Sequence, residues 1–363
     1  MERKIWIMEG LASQRDIIFG INDFTINNNK HPITTYASHS QSRHEILSTA
    51  HFSLSEPTDI NSRMSFISSI TKEYGISAIQ VGKACRWYEQ HRRQIEALGV
   101  SLTTGASQVS TFDIADDKVS FAKAMQAYGL PVVPSIRITD TNTLEYLLKA
   151  SPFPGCRLCV KPVTGIYGMG FWLFDEHALS TDIINHPEQR RIQPEQYLAA
   201  VKSSEVFTPL TLMPWLPGPE YSVDMLLSHG KVLTAIGRRK EGALQYLENR
   251  GPAIELACAC ACAEALHADG LVNVQTRNDT EGKPLLLEIN LRPSGGIGYT
   301  RHSGVNLPGL FAAQRLDLLT ADDIIRRVAH QFTPATIRVM TESRRYPQQL
   351  NNVLAPSYNA EVK

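Results

Sequence analysis

Four side chains near residue 280 carry oxygen atoms at alternating positions of two apolar segments. Asn273 and Gln275 alternate in LVNVQTR, and Glu288 and Asn290 alternate in LLLEINLR, so each pair shares one face of a predicted strand. If the two strands form a hairpin, these oxygens converge, and a set that includes a carboxylate suits a hard cation such as Mg²⁺. Arg292 follows at the same parity and could hold a phosphate or a substrate carboxylate. Taken alone, the hairpin is equally compatible with polar side chains that face water.

A second candidate is the segment VKPVTGIYGMG. Lys161 ends an apolar strand there, and glycines follow at positions 165, 168 and 170. Glycines allow backbone N–H groups to approach phosphates closely. The segment lacks the GK[ST] ending of a P-loop, and three glycines after a strand also make ordinary hairpins. Alone, it is a weak indication of a phosphate site.

The elements that must position these residues follow from the apolar patterns. Before residue 113, short apolar runs alternate with helix-like stretches, which predicts a small parallel sheet covered by helices. No GxGxxG follows the first strand, so the motif of a dinucleotide-binding domain is absent from the sequence. The predicted strands are Ile5–Met8, Pro32–Ala37 and Ser77–Gly82, and the predicted helices lie near Ser13–Phe19, Asn61–Tyr74 and Tyr88–Leu98.

Later in the chain, helical and strand patterns continue to alternate. Val119, Ala122 and Met125 fall at helical spacing before a stop at Gly129. The remaining predictions are a strand at Thr211–Leu216, a hairpin that turns at His229 and Gly230, an alanine-rich helix after residue 254, and the final hairpin. The segment after about residue 320 is polar and weakly patterned.

Bulk properties exclude several classes of protein. The 363 residues suggest two or three packed units. Lys plus Arg and Asp plus Glu number 36 each, so no net charge favours nucleic acid or an anionic membrane. No apolar run approaches the ~20 residues that span a bilayer. We therefore expect a cytoplasmic protein with neither kind of partner.

The six cysteines predict no metal or disulfide site. Cys156 and Cys159 form one CxxC, but a zinc ribbon needs a second pair. Cys258, Cys260 and Cys262 alternate with alanine in a predicted helix, where positions i and i+2 face different ways. We expect all of them to be small buried hydrophobic residues.

The order of these features is more specific than any one of them. Asp117 and Lys118 open a helix, and then come LCVKP, the glycine turn, LMPWLPGPEYSVD, a basic strand with Arg238 and Arg239, NVQ and LEINLRP. Over about residues 113–310 this set resembles the ATP-grasp enzymes of the carbamoyl phosphate synthetase and biotin carboxylase branch. More narrowly, it resembles the ATP-grasp proteins associated with tellurium-resistance gene clusters.

The resemblance implies an α/β and α+β fold in three parts. A pre-ATP-grasp, Rossmann-like domain would occupy residues 1–112. An ATP-grasp fold of two α+β subdomains would occupy residues 113–320, with a flexible glycine-containing lid subdomain at about 156–216. Residues 321–363 would be a C-terminal extension.

The resemblance also implies a nucleotide site. ATP phosphates would be contacted by Lys118, by Lys161 and by a lid containing Thr164, Gly165, Gly168 and Gly170. Adenine would meet the hinge residues Met213, Trp215 and Leu216, and the ribose hydroxyls would meet Glu220. One or two Mg²⁺ ions, with Mn²⁺ as an alternative, would be held by Gln275, Glu288 and Asn290. Lys118 and Arg292 would act catalytically, and the candidate substrate ligands are Arg239, Arg292 and Arg301.

Three departures from the family pattern change details of this expectation. Pro214 stands where the hinge often has an acid, and it lacks an N–H, so the adenine contacts are expected from the Trp215 and Leu216 backbone. The lid contains bulky Ile166, Tyr167 and Met169, which predicts a stiffer lid. The metal set has one carboxylate, so metal binding should depend more on the ATP phosphates.

The family chemistry implies a carboxylate–amine ligase that forms an acylphosphate and releases ADP and phosphate. Two alternatives stay open: a kinase-like phosphotransferase without ligation, and a non-catalytic ATP-binding sensor or scaffold subunit. The expected partners are a small-molecule carboxylate and an amine or another nucleophile. The sequence leaves a homodimer open.

Overall fold

The computed structural model describes residues 3–10, 13–27, 32–165, 168–249, 254–346 and 349–354. By internal contacts the chain forms two compact units. The first comprises Met1–Phe112, Tyr221–Val274 and Ile289–Lys363, and the second comprises Asp113–Glu220 and Gln275–Glu288. The predicted division into residues 1–112, 113–320 and 321–363 stays a prediction.

The N-terminal sheet has five parallel strands. The strands are β1 Arg3–Ile7, β2 Ile33–His39, β3 Phe52–Ser55, β4 Ala78–Gln80 and β5 Ser101–Thr103, and the helices are α1 Gln14–Asn27, α2 His44–Leu47, α3 Arg63–Tyr74, α4 Cys85–Gln90, α5 Arg92–Glu96 and α6 Val109–Asp116. The order across the sheet is β3-β2-β1-β4-β5. Ile5, Trp6 and Ile7 are buried, as a sheet with both faces covered requires. The predicted parallel sheet with helices is confirmed.

Several details of this sheet differ from the sequence prediction. Strands β3 and β5 were missed because their sequences, FSLS and SLT, are short and largely polar. The single helix predicted at Tyr88–Leu98 is two short helices, α4 and α5, which are separated at His91.

A second sheet belongs to the second unit. Its elements are α7 Lys118–Ala127, β6 Ile136–Ile138, α8 Thr141–Ala150, β7 Leu158–Pro162, β8 Trp172–Phe174, α9 Asp182–Asn185, a 3-10 helix Pro187–Gln189, β9 Arg191–Ile192, α10 Pro194–Lys202 and β10 Leu210–Pro214. The strand order is β6-β10-β7-β8-β9, and β10 runs antiparallel to both β6 and β7. Helix α7 is followed by Gly129 in the left-handed conformation, in agreement with the predicted stop.

The third sheet has six strands. Its elements are β11 Glu220–Ser228, β12 Lys231–Glu241, β13 Leu244–Glu248, α11 Ile254–Ala265, β14 Gly270–Asn278, β15 Pro284–Asn290, a 3-10 helix Ile297–Ser303, α12 Leu307–Arg315, α13 Ala321–Gln331 and β16 Ala335–Arg338. The strand order is β15-β14-β11-β12-β13-β16. Both predicted hairpins are confirmed. At the first turn His229 and Gly230 have positive φ angles of 50° and 78°, as a two-residue hairpin loop needs.

The polar segment after residue 320 is more ordered than its composition suggested. Thr320 and Asp323 form a capping box at the start of α13, and Ile324 and Val328 bury one face of that helix. Strand β16 then pairs antiparallel with β13. The capping pattern and the i, i+4 apolar pair were readable from the sequence. Within the described ranges, none of the helices combines the length and the apolar character that crossing a bilayer requires.

One close backbone approach supports the segment that carries Arg292. Gly105, at φ 106°, lies against Leu291, and a Cβ there would come within 2.7 Å of the Leu291 carbonyl carbon. At Gly75, whose φ is 64°, a Cβ would meet no described atom within 4 Å apart from its own residue and its two chain neighbours.

We predict that Gly105→Ala destabilises the fold by about 3 kcal/mol or more, because backbone strain of roughly 1–2 kcal/mol adds to overpacking. Gly75→Ala, the control, should show only the strain, at roughly 1–2 kcal/mol. Urea unfolding measures both. Equal losses in the two variants would contradict the close approach.

Candidate functional site

Lys118 is held at the start of a helix and turned into the protein. Asp117 caps α7 by accepting a hydrogen bond from the Ser120 backbone N–H at 2.7 Å. Lys118 is 9% exposed, and its Nζ donates to the carbonyls of Gly165 at 3.1 Å and Val163 at 3.4 Å. The ammonium group is therefore tied to the chain that leaves β7, which excludes a simple solvated helix-surface lysine.

Lys161 faces a carboxylate near the end of β15. Its Nζ lies 4.0 Å from Glu288 Oε2, and the two side chains are 12% and 25% exposed. Burial lowers the pKa of the Lys118 ammonium, the Glu288 carboxylate works to raise it, and Lys161 lowers it further. Two cations thus share the field of one partly exposed carboxylate. Such a site has positive charge to spare for a polyphosphate and a carboxylate available to a hard cation.

The turn after β7 exposes its backbone. Thr164 and Gly165 are exposed, and Gly165, Gly168 and Gly170 have φ angles of 146°, 63° and 72°. At Gly170 a Cβ would come within 2.7 Å of the Pro162 ring. Glycine is therefore required by the shape of the turn.

The side chains expected to stiffen this turn are only partly described. Met169 is 60% exposed, and Ile166 and Tyr167 lie outside the described residues. The Arg190 guanidinium donates to the Gly168 carbonyl and ties the turn to the segment before β9.

The hinge differs from the sequence prediction in its backbone donors. Met213 pairs with Cys159 inside the sheet and is 4% exposed. The Trp215 N–H donates to the Arg157 carbonyl at 2.7 Å, so this donor is already engaged within the protein, and an adenine contact from the rest of the Trp215 backbone stays a prediction. The Leu216 N–H makes no hydrogen bond to a backbone carbonyl of the described residues. Leu216 therefore remains the hinge donor that a ligand could use.

An apolar cluster adjoins the hinge. Its buried members are Val133, Cys159, Leu173, Met213 and Leu216, with Phe171, Trp215, Leu285 and Leu287 partly buried against them. The Trp215 ring lies under two guanidinium groups, with the Arg157 Cζ at 5.2 Å and the Arg277 Cζ at 6.0 Å from its centre. Sequence reasoning missed both arginines. Arg277 lies two residues after Gln275 on β14, so alternation along the strand could have placed both side chains on the same face.

The predicted metal ligands lie on neighbouring strands. Gln275 on β14 and Glu288 and Asn290 on β15 are all half-buried, and β11, which begins at Glu220, is the next strand beyond β14. Within the described residues, no three His, Cys, Asp or Glu side chains are grouped to hold a metal ion. A metal at this place would therefore need the amide oxygens of Gln275 and Asn290.

Arg292 follows β15 and is half-buried. It lines a small crevice with Gly10, Ser13 and Pro293, all in the first unit. The Ser13 hydroxyl donates to the Pro293 carbonyl at 3.3 Å, which anchors the chain immediately after Arg292.

Comparison with known proteins decides the fold. Residues 206–342 match the family model described as ATP-grasp in the biosynthetic pathway with Ter operon. An N5-carboxyaminoimidazole ribonucleotide synthetase in its ADP complex is 15% identical over 92% of this chain and 80% of that chain, with a TM-score of 0.64. An L-amino acid ligase from Bacillus licheniformis is 15% identical over 94% of this chain and 82% of that chain, with a TM-score of 0.62. No curated protein matches in sequence.

The chain has the ATP-grasp fold. The predicted resemblance to the ATP-grasp proteins associated with the Ter operon is confirmed over residues 206–342. A biotin carboxylase domain from Hydrogenobacter thermophilus has the same fold, at 16% identity over 86% of this chain and 70% of that chain, with a TM-score of 0.55.

Within this ATP-grasp fold, the two adjacent arginines of β12 have opposite surroundings. Arg239 pairs with Glu248 at 3.0 Å and with Glu241, and its guanidinium lies 4.4 Å from the centre of the Tyr246 ring. These contacts argue against the predicted substrate role of Arg239. Arg238 is 3% exposed and pairs with Asp224 at 2.7 Å. The sequence analysis named Arg238 only as part of the basic strand and gave it no role.

Arg301 packs against helix α1. Its guanidinium lies 4.5 Å from the centre of the Phe19 ring. Burial raises the pKa of nearby Asp16, and the charges of Arg15 and Arg301 lower it in part. A carboxylate-binding role for Arg301 stays a prediction.

The cysteines are all free. Cys159, Cys258 and Cys262 are buried and Cys85 and Cys260 are half-buried, but Cys156 is exposed, so the expectation of burial was wrong for Cys156. Burial raises the pKa of Cys159 to about 12, which keeps it a neutral thiol.

We predict that Arg238→Ala costs about 3–5 kcal/mol of stability, because it leaves the Asp224 carboxylate buried without its cation. Arg239→Ala removes a more exposed pair on the next residue and should cost at most about 1 kcal/mol. Urea unfolding compares them. Similar losses would show that the Arg238 charge is not buried as described.

Proposed function

We propose that this protein is an ATP-dependent carboxylate–amine ligase that uses Mg-ATP and forms an acylphosphate intermediate. The observation that carries the proposal is the approach of Lys161 to Glu288, with Lys118 in the same field, in a chain with the ATP-grasp fold. Similar solved structures are complexes with ADP, with ATP, and with ADP and magnesium.

The nucleotide would use the second unit's cations and apolar cluster. Lys118 and Lys161 would neutralise the phosphates, and the exposed backbone at Thr164, Gly165, Gly168 and Gly170 would add N–H donors. The apolar cluster that contains Met213 would take the adenine ring, with the Leu216 N–H as a donor to its edge. Glu220 would accept hydrogen bonds from the ribose hydroxyls.

The oxygen donors fit a magnesium ion. Glu288 supplies a carboxylate, and Gln275 and Asn290 supply amide oxygens, a set that suits a hard cation. When bound, Mg²⁺ would neutralise charge on the β- and γ-phosphates. Because the protein provides one carboxylate, we expect the ion to bind much more tightly with ATP than alone.

The proposed reaction has two group transfers. A substrate carboxylate oxygen attacks the γ-phosphorus, the bond to the β-phosphate oxygen breaks, and ADP and an acylphosphate form. An amine then attacks the acyl carbon, phosphate leaves, and the amine gives up a proton as the amide forms. The chain's own part is to hold these groups in line and balance their charge, with Arg292 as the proposed ligand of the transferred phosphate.

A carboxylate and an amine are the substrate class we favour, because two of the similar structures are an L-amino acid ligase and an N5-carboxyaminoimidazole ribonucleotide synthetase. Both names describe synthesis from smaller components. A requirement for two substrates would separate ligation from simple phosphorylation.

The test is release of ADP from Mg-ATP in the presence of amino acids and small organic acids, alone and in pairs. We expect turnover that needs a carboxylate and increases with an amine. Glu288→Gln should lower it by at least about 100-fold, since the ligand charge is lost. Glu281→Gln, in the exposed turn between β14 and β15, is the matched control and should leave turnover unchanged.

Two results would contradict the proposal. One is undiminished ADP production by Glu288→Gln. The other is a phosphorylated product that no amine converts to an amide, which would identify a phosphotransferase.

A further inference from the structure

A buried polar network crosses three strands of the third sheet. Arg238 Nε donates to Asp224 Oδ2 at 2.7 Å, and both residues are almost completely buried. Asp224 Oδ1 accepts from Asn273 Nδ2 at 2.9 Å. The network therefore joins β14, β11 and β12 within the first unit.

The rest of the Arg238 guanidinium reaches in two directions. Nη1 donates to Gln245 Oε1 on β13 at 2.8 Å. Nη2 donates to Ser222 Oγ at 2.8 Å and to Ser294 Oγ at 2.9 Å. Ser294 is two residues beyond Arg292, so one arm of the guanidinium holds the loop that leaves β15.

The loop is packed on the guanidinium as well as bonded to it. A Cβ on Gly296 would come within 2.6 Å of Arg238 Cζ, so only glycine allows this approach. The Gly296 N–H donates to Ser294 Oγ at 3.1 Å, and the Tyr299 ring centre lies 5.8 Å from Arg238 Cζ. Three positions of the loop therefore depend on one side chain.

The charge of Arg238 is already balanced. Asp224 is paired with it away from water, and every arm of the guanidinium has an acceptor in the protein. A guanidinium whose nitrogens all have acceptors has little hydrogen-bonding capacity left for a phosphate. Its rigid planar geometry instead suits a side chain that joins several acceptors at once. A lysine could not reach all of them.

We infer that Arg238 is a positioning residue that fixes the loop Arg292–Tyr299, and with it the backbone from which the Arg292 guanidinium extends. Ser13 holds Pro293 from the other side of the same loop. Arg292 is the proposed ligand of the transferred phosphate, so the inference rests on the proposed function. A loop released by even about 1 Å would misplace Arg292 and slow phosphoryl transfer.

The test compares two variants that each remove one partner of the Arg238 guanidinium with a third that replaces the guanidinium itself. Ser294→Ala releases the loop and leaves the buried Arg238–Asp224 pair intact. Gln245→Met removes the opposite bond and is the matched control. Arg238→Lys keeps the positive charge but lacks the planar guanidinium that joins several acceptors. Amide hydrogen exchange of residues 294–299 is measured without substrate, and kcat and KM for Mg-ATP are measured with the carboxylate found in the ADP-release screen.

We expect at least about 10-fold faster exchange in the loop for Ser294→Ala and Arg238→Lys, and no change for Gln245→Met. In the same two variants kcat should fall by about 10- to 100-fold, with KM for Mg-ATP within about 2-fold of the wild type. A purely structural role would not separate kcat from KM in this way.

Unchanged exchange in Ser294→Ala, or an unchanged kcat despite faster exchange, would overturn the inference. A wild-type protein that releases no ADP with any carboxylate would instead refute the proposed function. The exchange measurement would still decide whether Arg238 holds the loop, because it needs no turnover.

Discussion

Unequal charge around Glu288 is the constraint on which the proposed chemistry depends. The Lys161 Nζ lies 4.0 Å from this carboxylate. The charge of Glu288 also acts on Lys118, a buried side chain whose ammonium group donates to the Gly165 carbonyl. Glu288 contributes most of the negative charge that acts on Lys118, with smaller contributions from Asp117 and Asp116, while Lys161 adds a second, partly buried cation. A polyanion that brings its own cation would lower the energy of this arrangement. The cap at Asp117 and the pairing of β7 with β10 hold the lysines in position.

In the first unit, the buried Arg238 has its charge balanced, unlike the two lysines near Glu288. Arg238 meets a full complement of acceptors and a paired carboxylate, so it is suited to hold structure. Arg292, two residues from the clamped Ser294, is half-buried beside a crevice. Arg238, whose guanidinium nitrogens all have acceptors, would therefore hold the backbone in place, and the proposed ligand contact would fall to Arg292.

Much of the candidate site was predictable because alternation along a strand fixes which side chains share a face. Gln275, Glu288 and Asn290 were found in this way, and Lys118 and Lys161 came from the order of motifs. Alternation places Arg238 and Arg239 on opposite faces of β12 but does not show which face is buried, which depends on the partners across the sheet. The engaged Trp215 N–H depends on Arg157, a contact between distant segments that no local pattern encodes.

Calorimetric titration with Mg-ATP tests the central claim most directly, because it needs no knowledge of the other substrates. We expect wild-type protein to bind Mg-ATP, and Lys161→Met to weaken binding by at least about 10-fold through loss of a charged hydrogen-bond donor. Lys149→Met, which removes an exposed lysine from α8, should bind as the wild type does. No binding by the wild type, or equal affinity in the Lys161 variant, would contradict a nucleotide site built on Lys118, Lys161 and Glu288.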